Sequence, residues 1–363
     1  MAITIRDVAE RAKTSISAVS VTLSGKSDTT IRVSPATRER IYEAAAQLGY
    51  SSNPIARSLA TGKSKVIGLI LPYADAFVDE NPFCHLVMTG VMREVVQHHY
   101  NLMMYTAAAS DEHSARQVDS RVEGLILVMP PENSQVVAKC EKRGRPYVSI
   151  LRDPVPGAWT VNSDDFEGGR LVAQHFIRLG HRRMAILMGP SDVSTSAPRF
   201  EGFKSALAEA GIPLNPKFCV ESGFDWYLGL DSMEQILAEP GEHPTAVFAI
   251  NDLCAEGAIR ALHRHGLSVP GDVAVVGYDD TWFSTMTRPP LTTVHMPIQA
   301  MGAMAAKLLI QRIEGVVPEN TQPILPVRLT IRHSCGASLA HNSKSSTDSI
   351  SQDNHHETSL HTY

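Results

Sequence analysis

The sequence contains no apolar run long enough to span a membrane. Its first residues show no signal-peptide pattern either, because polar and charged residues begin at Thr4 with no apolar stretch behind them. Together these absences predict a cytoplasmic chain with no membrane partner. Cysteine is sparse: Cys84, Cys140, Cys219, Cys254 and Cys335 are odd in number and far apart. They form no metal-ligand spacing, and a reducing compartment would keep them as thiols. Catalytic signatures are missing as well, since neither G-x-S-x-G nor H-E-x-x-H occurs. Two Gly-Lys-Ser tripeptides, at 25–27 and 62–64, lack the earlier glycine of a phosphate loop; Ser20 and Arg57 hold those positions. Asp279-Asp280 is a poor acid pair, because neighbouring positions at a strand end point apart. Nothing in the chain asks for a cofactor or a resident metal, and the expectation is a protein that is not an enzyme.

What is present divides the chain by charge. The whole carries −5, yet residues 1–65 hold ten Lys/Arg against five Asp/Glu, which leaves +5 there and −10 in the remainder. That asymmetry suggests a basic module for a polyanion joined to an acidic body that does not touch it. A chance imbalance on a small domain would look the same. The length accommodates one small domain and two of ordinary size.

The basic segment has a definite pattern. Ile5, Val8, Ala9 and Ala12 share one helix face, with Thr4 as N-cap and Asp7 three residues on. Ser15 caps a second helix in which Val19 and Leu23 point inward. Ser17, Ser20 and Val21 are left on the outer face, with Ile16 at the helix start. Two small helices sharing an apolar wedge make a helix-turn-helix, which lays its second helix in the DNA major groove; an ordinary helical hairpin would carry the same spacing. A third helix is expected from Ser34-Pro35 to Gly49, with Ile41, Ala44, Ala45 and Leu48 as its apolar face. The polar stretch 24–33 connects helices two and three. Asn53-Pro54 then opens a short segment, IARSLA, too short to be a stable helix alone. It is either a segment that folds on binding or a flexible linker.

From Val66 onward strands alternate with helices. VIGLIL (66–71), LMMY (102–105), GLILVM (124–129), YVSIL (147–151), MAILMG (184–189), AVFAI (246–250) and VAVVGY (273–278) are continuous apolar runs, as expected of buried parallel strands. Amphipathic stretches at 164–179, 199–210, 252–265 and 297–313 separate them, giving a βαβ architecture. In such sheets a ligand sits beyond the carboxyl ends of the strands. Asn251-Asp252, Asp279-Asp280 and Arg199 fall in such places, although helix capping or a surface ion pair would explain each one alone. The tail 341–363, rich in Ser, His, Asn and Asp, reads as polar disorder rather than a metal site.

The order of these pieces resembles the lac-repressor (LacI/GalR) family. The shared features begin with the N-terminal helix-turn-helix, S-P-x-T-R-E-R, L-G-Y and N-P-I-A-R-S-L. They continue through N-P-F (81–83), RVEGLIL (121–127), LGHRRMAIL (179–187), PRFEGFKSAL (198–207), TAVFAIND (245–252), VPGDVAVVGYDD (269–280) and PPLTTV (289–294), and end at LTIRHS (329–334). The resemblance covers residues 3 to about 335. It implies an all-α headpiece at 1–50, a hinge at 51–65 and a two-lobed α/β sensor at 66–335 like a periplasmic binding protein. A polar tail at 336–363 follows. Chain crossings between lobes are expected near Asn162, Leu291 and Pro326. It further implies a homodimer on double-stranded operator DNA, contacted by Thr4, Ser15, Ile16, Ser17, Ser20 and Val21. Leu59 would wedge into the minor groove. A sugar-like effector would lie in the cleft against Phe83, Thr195, Arg199, Trp226, Asn251 and Asp279, and would alter the lobe angle and so DNA affinity.

Several positions depart from the family pattern. Val21 stands where Arg is usual and cannot read guanine bidentately. Ile16 and Ser17 are apolar or small at base-reading positions. Leu151 replaces a strand-end Asp, and Val193 stands where purine-responsive members place Arg, which counts against a purine. GFDWYLG is one residue short, so Phe224 is an alternative to Trp226, and the segment 106–121 looks truncated. Two further readings stay open: a DNA-binding member without effector response, and a sugar-binding or sugar-processing protein with an incidental helical head.

Overall fold

A computed structural model describes residues 3–24, 31–50, 63–72, 81–105, 121–191 and 193–337. The chain forms two compact units, Met1–Val66 with Asp119–Glu123, and Ile67–Val118 with Gly124–Tyr363. Four sequence readings lie outside the described residues: the segment around Leu59, most of the 24–33 connection, the stretch 106–120 and the tail beyond residue 337.

The first unit contains α1 (Ile5–Arg11), α2 (Ile16–Ser24) and α3 (Pro35–Leu48). Its helix starts are set by side chains. Thr4 donates from both its backbone N and its hydroxyl to Asp7 at 2.7 Å, closing a capping box. The Ser15 hydroxyl accepts from Ala18 N at 3.1 Å, and that of Ser34 from Thr37 N at 3.3 Å. Gly49 ends α3 at φ +62°, a left-handed cap. Val8, Val19 and Ile41 are wholly buried and meet between the three helices. Leu23 is only partly buried; its neighbour Thr22 is the enclosed one.

The second unit holds two six-stranded sheets. In sequence order its strands are β1 (Val66–Ile70), β2 (Asn101–Tyr105), β3 (Gly124–Val128), β4 (Tyr147–Ile150), β5 (Thr160–Ser163), β6 (Met184–Met188), β7 (Cys219–Glu221), β8 (Ala246–Ala249), β9 (Ala274–Asp279), β10 (Thr292–His295), β11 (Ile324–Leu325) and β12 (Arg328–Thr330). The first sheet runs β11-β5-β4-β3-β1-β2 and the second β12-β10-β9-β8-β6-β7. Every recorded strand pair is parallel except β10 with β12. The central strands β3, β4, β8 and β9 are buried along their whole length, which explains their largely apolar sequences, interrupted only by Ser149 and Asp279.

The helices are α4 (Pro82–Gln97), α5 (Gln135–Lys142), α6 (Asp165–Arg178), α7 (Ser196–Glu209), α8 (Trp226–Ala238), α9 (Asp252–Arg264) and α10 (Ile298–Ile313). The chain changes sheet three times: after β5, after β10 and between β11 and β12. The first and third changes fall beside Asn162 and Pro326. The second comes after His295 rather than at Leu291, because Thr292–His295 still pairs with β9 in the second sheet. Among the described residues no helix is long and apolar enough to cross a membrane.

Glycine fixes how the helices of the second lobe pack. A Cβ at Gly202 on α7 would lie 1.9 Å from the carbonyl oxygen of Phe166 on α6, and one at Gly169 on α6 would lie 2.0 Å from that of Arg199 on α7. The two backbones touch at reciprocal glycines, and the contact holds Arg199 against the first turn of α6.

Candidate functional site

A pocket lies between the two lobes at the carboxyl ends of their strands. That is where an α/β sheet places a ligand. Of the residues expected there, Phe83, Thr195, Arg199, Asn251 and Asp279 line it, and Trp226 does not. Trp226 is the first residue of α8, is 42% exposed, and lies under the Arg260 guanidinium at 4.9 Å. Phe224 occupies the wall instead, because the shorter GFDWYLG segment starts the helix at Trp226 and turns that ring outward.

Arg199 is the best-held side chain of the site and is 3% exposed. Its Nε donates to Asp165 at 2.8 Å, its Nη1 to the Ile250 carbonyl at 2.8 Å, and the guanidinium lies 3.7 Å from the centre of the Tyr278 ring. The Tyr278 hydroxyl donates to the same Asp165 oxygen at 3.0 Å. Nη2 donates to the Met296 sulfur at 3.8 Å, and both residues line the pocket.

Asn251 acts first as a structural residue. Its Oδ1 caps α9 by accepting from Cys254 N at 2.8 Å, and its Nδ2 donates to the Phe224 carbonyl at 2.8 Å. It therefore positions the aromatic wall as well as lining the pocket. Asp252 follows Asn251 as the first residue of α9. It is 1% exposed and accepts from Thr281 N, the Thr281 hydroxyl and the Thr293 hydroxyl at 2.8, 3.1 and 2.5 Å. Burial pushes its carboxyl up to about 7, against the lowering pull of those hydrogen bonds. Burial likewise holds the Asp279 carboxyl well above the usual range, with Arg199 opposing the rise and Asp252 and Asp165 adding to it.

Three lining residues occupy the left-handed backbone region without being glycine: Met129 at φ +48°, Leu151 at +55° and Asp279 at +107°. Such conformations cost of order 1–3 kcal/mol each and gather at ligand sites. Here they come at or just past the ends of β3, β4 and β9. The Ser194 hydroxyl donates to the Leu151 carbonyl at 3.0 Å, joining the lobes beside the pocket. Sequence reasoning did not place Met129, Met296 or Thr281; apolar and hydroxyl residues after strands carry no distinctive spacing.

In the first unit Thr4, Ser15, Ile16, Ser17 and Ser20 are exposed, and Val21 is half-buried. Ile16 is 43% exposed at the start of α2.

Comparisons with known proteins agree with this geometry. Residues 4–53 match "Bacterial regulatory proteins, lacI family", and residues 173–335 match "Periplasmic binding protein-like domain". The chain is 34% identical over 341 residues to the HTH-type transcriptional repressor PurR of Haemophilus influenzae (strain PittEE), covering 91% of this chain and 98% of that protein. Its structure is similar to the Lac repressor dimer bound to operator and the anti-inducer ONPF, with a TM-score of 0.81 at 28% identity, covering 92% and 99% of the two chains. The transcriptional regulator CelR–cellobiose complex matches with a TM-score of 0.69 at 29% identity, again covering 92% and 99%. With nearly the whole length of a repressor matched above 30% identity, and both of its characteristic domains in order, the chain belongs to the lacI family of bacterial regulatory proteins.

Proposed function

We propose that this regulator binds operator DNA through α2 as a cytoplasmic homodimer, and that a sugar or sugar derivative in the interlobe pocket sets its affinity. The observation that carries the effector reading is the pocket itself. A buried guanidinium and a buried carboxyl group from one lobe line it together with an aromatic ring, Phe83, from the other. Charged donors and acceptors suit ring hydroxyls, and aromatic or apolar walls suit sugar faces. The cellobiose bound to CelR supports a sugar. Dimerisation is supported by the assembly named for the Lac repressor and by large apolar side chains left on the surface of the sensor, among them Tyr227, Trp282 and Met286 at 51%, 53% and 66% exposure. The hinge role of 51–65 and the wedge role of Leu59 are part of the same proposal.

A purine is the second reading, favoured by the name of the Haemophilus relative. One experiment separates the two. Thermal shifts of wild type, Arg199→Ala and Asp279→Ala are recorded against sugars, sugar acids, sugar phosphates, purine bases and nucleosides. A sugar that stabilises the wild type and neither variant supports the proposal. Purines alone acting would replace the sugar, and equal shifts on all three proteins would move the site elsewhere.

A further inference from the structure

At the pocket end of β9 the chain turns through two consecutive left-handed residues, Asp279 at φ +107° and Asp280 at +56°, neither of them glycine. Their side chains part there. The Asp279 carboxyl lines the pocket and that of Asp280 does not. We infer that Asp280 is a positioning residue of the effector site. Tied to Arg332, His295 and Thr330, it holds the turn that aims Asp279 into the pocket, and it fastens that turn to two of the three chain connections between the lobes. The inference rests on the effector reading above, in which Asp279 meets the ligand.

The Asp280 carboxylate is engaged at both oxygens. Oδ1 accepts from Arg332 Nη2 at 2.5 Å and from the Ser284 hydroxyl at 3.4 Å. Oδ2 accepts from the Thr330 hydroxyl at 3.1 Å and lies 3.0 Å from His295 Nδ1. Burial alone would raise this carboxyl, but Arg332, His295 and Thr330 hold it below its usual range. Arg332 is anchored in turn, donating from Nη1 to the Leu291 carbonyl at 2.7 Å. The backbone of the turn joins the same group. Asp280 N donates to the Thr293 hydroxyl at 3.4 Å, and Met296 N donates to the Asp279 carbonyl at 3.3 Å.

Two successive left-handed residues with side chains persist only where their surroundings impose them. A carboxylate bonded to a guanidinium is among the stronger non-covalent ties available for that purpose. Its partners stand at the lobe connections. His295 ends β10, and Met296-Pro297 then leads into α10, which packs on β3 and β4 of the first sheet. Thr330 ends β12, which follows β11 of the first sheet across Pro326. A change in lobe angle therefore pulls on the turn that presents the effector carboxyl, and a ligand that fixes Asp279 favours one lobe angle.

The test compares the full-length wild type with Asp280→Asn and Arg332→Gln, and with Ser334→Ala as a control. Asparagine tolerates a left-handed backbone as aspartate does, so Asp280→Asn removes the charge without adding strain. Ser334 links the same strands at their opposite end, accepting from Thr292 N at 2.8 Å and donating to the Val275 carbonyl at 2.6 Å. Hydrogen exchange is measured by peptide without ligand. Calorimetry then uses cellobiose as the sugar probe and adenine and guanine as purine probes. In Asp280→Asn and Arg332→Gln, exchange over 279–286 and 295–297 is expected to quicken at least tenfold. Any of the three probes that the wild type binds is expected to bind them at least tenfold more weakly. Ser334→Ala should lower Tm and leave both measurements unchanged. Unaltered exchange in the turn would overturn the inference, as would binding losses that follow Tm alike in all three variants. A purine bound in place of cellobiose would replace the sugar reading while the same comparison still decides the role of Asp280. If the wild type binds none of the three, the exchange result alone decides it.

Discussion

The hydroxyl of Ser194, carried by the second lobe, donates to the carbonyl of Leu151 at the end of a first-lobe strand, at 3.0 Å. This bond spans the lobes next to the pocket, and a change in lobe angle must stretch it. Removing it therefore weakens the arrangement in which the pocket is enclosed. Ser194→Ala is expected to lower effector affinity about two- to tenfold, the equivalent of one ordinary hydrogen bond. Calorimetry on the wild type and the variant measures the change, with thermal denaturation checking that the fold is unaltered.

Arg199 and Asp165 give a larger effect. Both are almost wholly buried. Arg199→Ala leaves the buried Asp165 carboxylate with only the Tyr278 hydroxyl and takes the guanidinium from the Ile250 carbonyl, and is expected to destabilise the sensor by about 3–5 kcal/mol. Arg199→Met combined with Asp165→Leu removes both charges and should recover most of that loss while still abolishing effector binding. Urea denaturation of Arg199→Met, Asp165→Leu and the double variant gives the coupling directly.

The glycine contact between α6 and α7 predicts a positional effect. Gly202→Ala puts a methyl against the Phe166 carbonyl, so the helices must separate and carry Arg199 away from Asp165. A drop in Tm together with at least tenfold weaker effector binding is expected. A variant with unchanged Tm would show that the helices have slack that the distances do not suggest.

The sequence announced the fold best where burial is complete. β3, β4, β8 and β9 are enclosed on both faces, so nearly every residue is apolar, Ser149 in β4 and Asp279 at the end of β9 being the exceptions. Strands β5 (TVNS) and β10 (TTVH) escaped notice because they are short and polar. Thr292 and Thr293 are nevertheless fully buried, with hydroxyls satisfied by Arg332 N, Cys335 and Asp252. Helix α5, eight residues with two lysines near its end, was also missed. In the pocket, charged residues after strands could be picked out from the chain. The Trp226–Phe224 exchange could not be settled, because it depends on the residue at which α8 begins. Met129 and Leu151 acquire their importance from backbone angles that composition does not encode.

Two buried groups make stability depend on pH in opposite senses. Burial raises the Asp252 carboxyl to about 7 from its ordinary 3.8. The folded chain therefore keeps a proton that the unfolded chain releases, and this contribution is lost as pH climbs through about 7. Burial lowers the His175 imidazole from 6.5 to about 4, and its Nε2 has no hydrogen-bond partner. Its contribution is present above 6.5 and lost as pH falls toward 4. Relative to wild type, Asp252→Asn should gain stability between pH 5 and 8, and His175→Asn should gain it between pH 6.5 and 4. Urea midpoints across that range test both signs.

The proposed base reading by α2 gives a prediction about DNA. Val21 is half-buried and has no group that can contact guanine at two points. Val21→Arg is expected to shift preference toward a guanine-containing pair at one symmetric position by about 1–3 kcal/mol. In vitro selection of binding sites with both proteins measures it; an identical consensus would contradict it.

The central claim is that occupancy of the interlobe pocket controls DNA affinity. Its most direct test is fluorescence anisotropy of a selected operator duplex, titrated with the full-length protein at fixed salt. The titration is done with and without a saturating ligand that stabilises wild type but not Arg199→Ala. The account predicts at least a tenfold difference in operator Kd between the two conditions, abolished in Arg199→Ala. An operator Kd unchanged by a ligand that demonstrably fills the pocket would contradict it.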